Sequence, residues 1–356
     1  ATITADSLTA TRVPFAGTAG VLSDDSDLTF ATATLSATNL TTTGTIKNMA
    51  LVSGSSVSTG SFGHITLSEG LEIGGVFKAS LSNNDAGTSN TIFGKAAGAS
   101  LDAGSNQNVF IGENVSDATM NDAINNVGVG YSALGALTTG DYNTAIGHNA
   151  LLVQTTAEVN VSIGANSMQA LVTGDQNTAL GTNALYTLNG GANNTSVGHN
   201  SGDAATTASG SVFVGQSAGG ALTTGNENIA IGKDAMAGAA TTGDRNIVIG
   251  REAGRKLTSG HSNVLIGDEA ATNITTAREN VVIGKGAYAN ANTSENFAVV
   301  VGYNAANNVD GIDNVTAIGH SALSTMVAVD GNVAVGFEAG KVTTGANNTY
   351  LGFKAG

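Results

Sequence analysis

Asn143 to Leu151 reads NTAIGHNAL. An aliphatic residue, a glycine and a histidine in succession, Ile146-Gly147-His148, resemble the edge of a catalytic loop. The stretch is not unique, and its recurrence decides the fold. Aligning the chain on Gly147 places Gly94, Gly112, Gly130, Gly147, Gly164, Gly181, Gly198, Gly215, Gly232, Gly250, Gly267, Gly284, Gly302, Gly319, Gly336 and Gly352 in one column, spaced by 17 residues and occasionally by 16 or 18. A fixed period of this length is the mark of a solenoid, in which each repeat is one coil.

The residue before each glycine is large and apolar in every copy, as at Phe93, Ile111 and Ile146, and the residue three before is always Thr, Val or Ile. Residues two apart share one face of a strand, and β-branched side chains favour strands. Each repeat is therefore expected to contribute a short strand, with Ile146 and its equivalents in the core of the coil. The column between these two, including Ile92, Phe110, Ala145 and Val248, is also largely apolar. Strands apolar on both sides are buried on both sides, so the second face is expected to meet another copy of the chain, and a homotrimer is the natural closed form for a rod.

Asn stands four before the glycine in thirteen of the sixteen repeats, and Ala three after it in thirteen. Asn tolerates left-handed backbone and bonds along a stack of identical turns, while Gly supplies positive φ and Ala fits a tight inner corner. The remainder of each repeat, as at Thr138-Thr139-Gly140, reads as a second short strand and a turn. Sixteen rungs at roughly 4.8 Å each would make a rod of about 75 Å.

The sequence thus predicts an all-β protein: a parallel β-solenoid (β-roll or β-helix) of about sixteen 17-residue repeats, preceded by an irregular all-β N-terminal segment. Residues 1–46 read as a slender attachment segment, 47–88 as a transition and 89–356 as the repeat domain. Composition agrees. The 356 residues include 49 glycines, one proline, no tryptophan and no cysteine, with 41% hydrophobic but only 4% aromatic residues. Burial must come from small and branched aliphatics in a regularly turning backbone.

The net charge of −14, with only 13 Lys and Arg, argues against nucleic-acid or anionic-membrane binding, which draws affinity from clustered cations. No run has the length of a membrane span, and the opening ATITADSLTATRV lacks the basic-then-apolar pattern of a signal peptide. Absence of cysteine excludes disulfides and thiolate metal sites.

Several groups invite a chemical reading. IGHNAL fits the hexapeptide pattern of left-handed β-helix acyltransferases, but those enzymes repeat it in tandem, whereas here it occurs once per repeat. His148, His199 and His320 share the position after the glycine, three and then seven rungs apart. At strand spacing those gaps are roughly 14 Å and 34 Å, too far for one metal ion. Asp24-Asp25 and Asp268-Glu269 could be paired carboxylates for glycoside hydrolysis, yet adjacent strand residues point to opposite faces, and solvated turn charges are the simpler reading. The turn acids Asp141, Asp175 and Asp244 come singly, without the calcium-roll nonapeptide. Triplets such as Asn160-Val161-Ser162 follow from the repeat itself. No catalytic, metal or cofactor residue is assigned, and no cofactor is expected.

Two resemblances point to fibres. The N-x-A-I-G-x-x-A unit, at Asn143 to Ala150 and Asn228 to Ala235, resembles the head repeats of trimeric autotransporter adhesins, which implies a parallel β-roll. Their repeat is shorter than 17, and a membrane-anchoring segment is not recognised here. RVPFAGTAGVLSDDSDLTF, Arg12 to Phe30, resembles segments of bacteriophage tail fibres and other virion appendages. Together these imply a structural, non-enzymatic tail fibre or spike shaft in host attachment. Its partners would be itself, other virion proteins through the N-terminal segment, and a host surface glycan or protein. A bacterial surface adhesin and a polysaccharide-degrading tailspike stay open as alternatives. The C-terminal NNTYLGFKAG carries no polar cap, so a capping partner or a removed C-terminal chaperone is expected at that end.

Overall fold

The computed structural model describes residues 87–356 except 239, 292, 293, 295, 310–312, 326–329 and 343. The attachment segment 1–46 and nearly all of the transition 47–88 lie outside the described residues. Sixteen three-residue strands run from β1 (Thr91–Phe93) to β16 (Thr349–Leu351), each ending on the residue before one of the aligned glycines. Each pairs in parallel with the next in one unbroken sheet. β4 (Thr144–Ile146) and β5 (Val161–Ile163) show the register, with Ala145 beside Ser162 and Ile146 beside Ile163. The chain is thus a parallel β-solenoid with about 17 residues per coil, and no helix occurs among the described residues.

The faces of the strands are the reverse of the expectation. The middle residue points into the coil and is buried in β1 to β15, whereas the two flanking residues point outward. Ala145 is fully buried, and Ile146 is 38% exposed. The asparagine four before the glycine explains this parity. It is buried in repeat after repeat because its side chain bonds inside the coil, and alternation along a strand then turns the middle strand residue inward as well. The residues between them are forced outward.

The asparagines form a ladder that runs from Asn90 to Asn280 and resumes at Asn332. Asn143 donates its backbone N–H (2.9 Å) and its Nδ2 (3.1 Å) to Asn126 Oδ1, and the same Nδ2 donates to the Ala157 carbonyl at 2.9 Å. This pattern satisfies a buried amide and an otherwise orphaned turn carbonyl on each rung, as buried polar groups require. Ser211 carries the ladder in place of Asn: its N–H donates to Asn194 Oδ1 and its Oγ accepts the Asn228 N–H at 3.1 Å. Ala298 and Val315 occupy the position without an acceptor side chain.

At each glycine the chain turns with φ between +121° and +141°. Gly147 shows why no side chain fits: its φ is +141°, and an added Cβ would overlap the carbonyl of Gly164 one rung away. The expected second strand at Thr138-Thr139 is absent. That arc is a turn, with Thr138 N–H and Oγ1 donating to the Thr155 carbonyl at 3.0 and 2.9 Å. Among the described residues the one isolated bridge joins Leu222 and Thr241. Inter-rung bonding persists there, but the tight turn departs from extended strand geometry.

Inside the coil, large and small residues are matched. Phe213, the middle residue of β8 (Val212–Val214), is fully buried, and Gly202 and Gly219 stand beside its ring where a Cβ would meet ring carbons. Where the middle residue is Ala145, the position equivalent to Gly219 is Leu151 in the same left-handed conformation, φ +51°. Phe213→Ala is expected to cost about 3–5 kcal/mol by opening a cavity. Adding Gly219→Leu, which recreates the Ala145/Leu151 combination, should recover a large part of that loss in thermal unfolding. Buried serines are paired in the same way, since Ser162 Oγ donates to the Ser167 carbonyl and Ser196 Oγ to the Ser201 carbonyl, both at 2.8 Å.

Candidate functional site

The residues left outside define a surface. Three columns face outward together: the first and third residues of every strand and, by continued alternation, the residue just after the glycine. Apart from Phe93 in β1 the first two columns are aliphatic or threonine, and several members are substantially exposed, including Ile146, Ile283 and Ile318 at 38% and Leu180 at 45%. Parallel strands, which place like residues side by side, turn a repeated sequence into two rows along the solenoid.

The third column is a ladder of neighbour pairs. Tyr131 stacks on His148 with centroids 5.4 Å apart, and Tyr303, His320, Phe337 and Phe353 stack in succession at 5.0–5.2 Å. Each face of His320 and Phe337 is covered by a ring, so these aromatics offer edges rather than flat platforms. His199 lies in the same column three rungs beyond His148, with five rungs between it and Tyr303. The structure therefore does not bring the three histidines together.

Charges form ladders too. Lys95 Nζ meets Glu113 Oε1 at 2.9 Å across adjacent rungs. Arg251 binds Glu252 at 2.8 Å, Asp268 at 2.9 Å and Glu269 at 2.6 Å, while Lys285 reaches Asp268 at 3.3 Å. The pair Asp268-Glu269 thus lies in a turn rather than on a strand, and both carboxylates converge on one guanidinium. Partial burial pushes the Asp268 carboxyl upward, but hydrogen bonds and charge from Arg251 and Lys285 outweigh it and hold the group below its ordinary value. A folded-state pKa below the unfolded one stabilises at neutral pH, and that contribution is lost as pH falls through the lowered value. Arg251→Met should accordingly lower the unfolding midpoint at pH 7. The gap from wild type should narrow on acidification below the usual carboxylate range and in high salt, as exposed ion pairs are screened.

Asp141, Asp175 and Asp244 act as inter-rung caps. Asp141 Oδ1 accepts the Ile124 N–H, Asp175 Oδ1 that of Glu158, and Asp244 Oδ1 that of Asn226, at 2.7–2.8 Å. Among the described residues no group of three or more His, Asp or Glu is placed to hold a metal ion, and no helix is long and apolar enough to cross a membrane. Asn160, of the triplet Asn160-Val161-Ser162, is buried in the ladder. Asp24-Asp25 lies outside the described residues.

Sequence reasoning missed which aliphatic columns face out and that the residues after the glycines pair along the axis. The signal for the first was the Asn column, whose parity sets the strand faces. The signal for the second was the clustering of Tyr303, His320 and Phe337 in successive copies. No family model, curated protein or solved structure matches the chain.

Proposed function

We propose that the chain is a structural, non-enzymatic shaft of a virion fibre or spike that serves host attachment, assembled as a homotrimer. The observation that supports this reading best is the outward strand face, sixteen rungs of mostly aliphatic side chains interspersed with threonine along a regular parallel sheet. Roughly 72 Å long and about 10 Å wide, the face is on the order of 700 Å². A stable interface buries roughly 800 Å² per partner, and exposed apolar patches of this size are rare on monomers. Continuous inter-rung bonding, with copies covering one another's aliphatic face, suits a part that must resist shear and proteolysis.

On this reading the N-terminal segment joins other virion proteins. The variable residues away from the interface contact a host surface glycan or protein. Light scattering at micromolar concentration is expected to give three times the monomer mass, and electron microscopy of host cells incubated with the protein should show surface binding. A monomer would overturn the assembly. Oligosaccharides released from host capsule would overturn the non-enzymatic assignment in favour of a polysaccharide-degrading spike.

A further inference from the structure

The turn arc between β6 (Thr178–Leu180) and β7 (Thr195–Val197) differs from its neighbours at one step. Nearby coils hold two threonines at the corresponding positions, as at Thr155-Thr156, Thr206-Thr207 and Thr223-Thr224, whereas this coil has Asn189-Gly190, the one Asn-Gly pair in the chain. The threonine hydroxyl reaches the next rung, Thr206 Oγ1 donating to the Thr223 carbonyl at 3.1 Å. Asn189 and Gly190 are both exposed, and the Asn189 carboxamide has no hydrogen-bond partner among the described residues.

We propose that Asn189 is a self-modification site, where the Gly190 amide closes on the Asn189 carboxamide and converts it to aspartate and isoaspartate. The Gly190 nitrogen bonds to Asn189 Cγ, solvent relays its proton to Nδ2, and Nδ2 leaves as ammonia, giving a five-membered succinimide. Water then opens the ring. Attack at Cγ restores the ordinary backbone as aspartate, and attack at the main-chain carbonyl carbon leaves the chain running through Cβ and Cγ as isoaspartate. One water is consumed and one ammonia released.

The fold favours this residue over the other asparagines. The nucleophile is loosely held, since the Gly190 N–H reaches the Thr206 carbonyl at 3.4 Å while the Asn189 N–H already occupies that oxygen at 2.9 Å. Approach is unobstructed, because glycine lets backbone come close and even an added Cβ would find only Thr173 Oγ1, at 3.5 Å. Asn177 is the opposite in each respect. It is buried, its Nδ2 donates to Asn160 Oδ1 and to the Gly191 carbonyl, and the N–H that would attack, that of Thr178, is bound to the Asn194 carbonyl at 2.8 Å.

The product alters the coil. The N–H groups of Val172 and Thr173 donate to the Asn189 carbonyl at 3.0 and 3.2 Å, and in the isoaspartate that carbonyl becomes a free carboxylate on a backbone one methylene longer. The new charge arises within residues 96–232, a stretch without Lys or Arg. Contacts in a solenoid run between neighbours, so the loosening is expected at the arc of Val172 and Thr173.

Incubating the folded full chain in mildly alkaline buffer and mapping its peptides by mass spectrometry tests the site. Aspartate and isoaspartate are expected to accumulate at Asn189 ahead of every ladder asparagine, faster as pH rises, and Gly190→Ala should lose most of the conversion. Amide exchange at Val172 and Thr173 should accelerate in the isoaspartate fraction. The double variant Asn189→Thr with Gly190→Thr, which recreates the arc of the nearby coils, should show no such acceleration on ageing. An unchanged Asn189 in the folded chain, under conditions that convert the unfolded chain, would overturn the proposal. Conversion of Asn177 at the same rate would overturn the selection by the fold, and an undiminished rate in Gly190→Ala would overturn the succinimide route.

Discussion

Gly181→Ala is expected to destabilise the solenoid by about 3 kcal/mol or more, out of proportion to the addition of one methyl group. Two penalties act together. Gly181 has φ +141°, a region that costs an L-residue roughly 1–3 kcal/mol. The new Cβ also overlaps the carbonyl of Gly198 on the next rung, and overpacking against rigid backbone costs about 1–3 kcal/mol more. Gly190, nine residues along the same coil, provides the contrast. Its nearest neighbour is Thr173 Oγ1, 3.5 Å from an added Cβ, and Gly190→Ala should change stability by less than about 0.5 kcal/mol. Denaturant unfolding of the two variants checks the pair, and similar losses would refute the corner argument.

Asn177→Ala is expected to cost about 3–5 kcal/mol, because one side chain serves three partners. Asn177 Oδ1 accepts the N–H and Nδ2 of Asn194, both at 3.0 Å, and its Nδ2 donates to the Gly191 carbonyl at 2.9 Å and to Asn160 Oδ1 at 3.1 Å. Truncation leaves the Asn194 N–H and the Gly191 carbonyl unpaired at about 1–3 kcal/mol each, partly relieved by relaxation, while Asn194 Nδ2 keeps its bond to the Ala208 carbonyl. Asn177→Ser should be milder, since Ser211 already relays the ladder through its hydroxyl. Contacts in a solenoid run between neighbours, so the damage should stay near the lesion. Amide exchange should accelerate in β6 and β7 and change little in β2 (Val109–Ile111), whereas uniform acceleration would show that the coil unfolds as a single unit.

Much of the fold is legible in the sequence because its causes are local and repeated. The glycine column marks a backbone that only glycine adopts easily, and β-branched residues at fixed offsets before it mark the strand. The inside and outside of that strand are harder to read. Ile146 is bulkier and more apolar than Ala145, so hydrophobicity alone assigns the core to the wrong column. The coil interior has little width, and what it buries is decided by what stands opposite: Leu151 across from Ala145, Gly219 beside Phe213. Pairing the columns by volume would have found this, as would noticing that Ser167 and Ser201 replace alanine in the repeats whose middle strand residue is Ser162 or Ser196. The interaction surface was harder still, since it is composed by stacking, and the Tyr303–His320–Phe337 row exists only when three distant segments lie on consecutive rungs.

The unequal interior has a consequence for how such a chain finds its alignment. A solenoid of identical coils could skip or double a rung while folding and lose almost nothing, because every segment would sit equally well on every other. Here the Phe213 ring has room only between the bare backbones of Gly202 and Gly219. A coil displaced by one period would bring Leu185 or Met236 into that space. The side chains hidden in the centre therefore act as addresses, telling each segment which neighbour is its own.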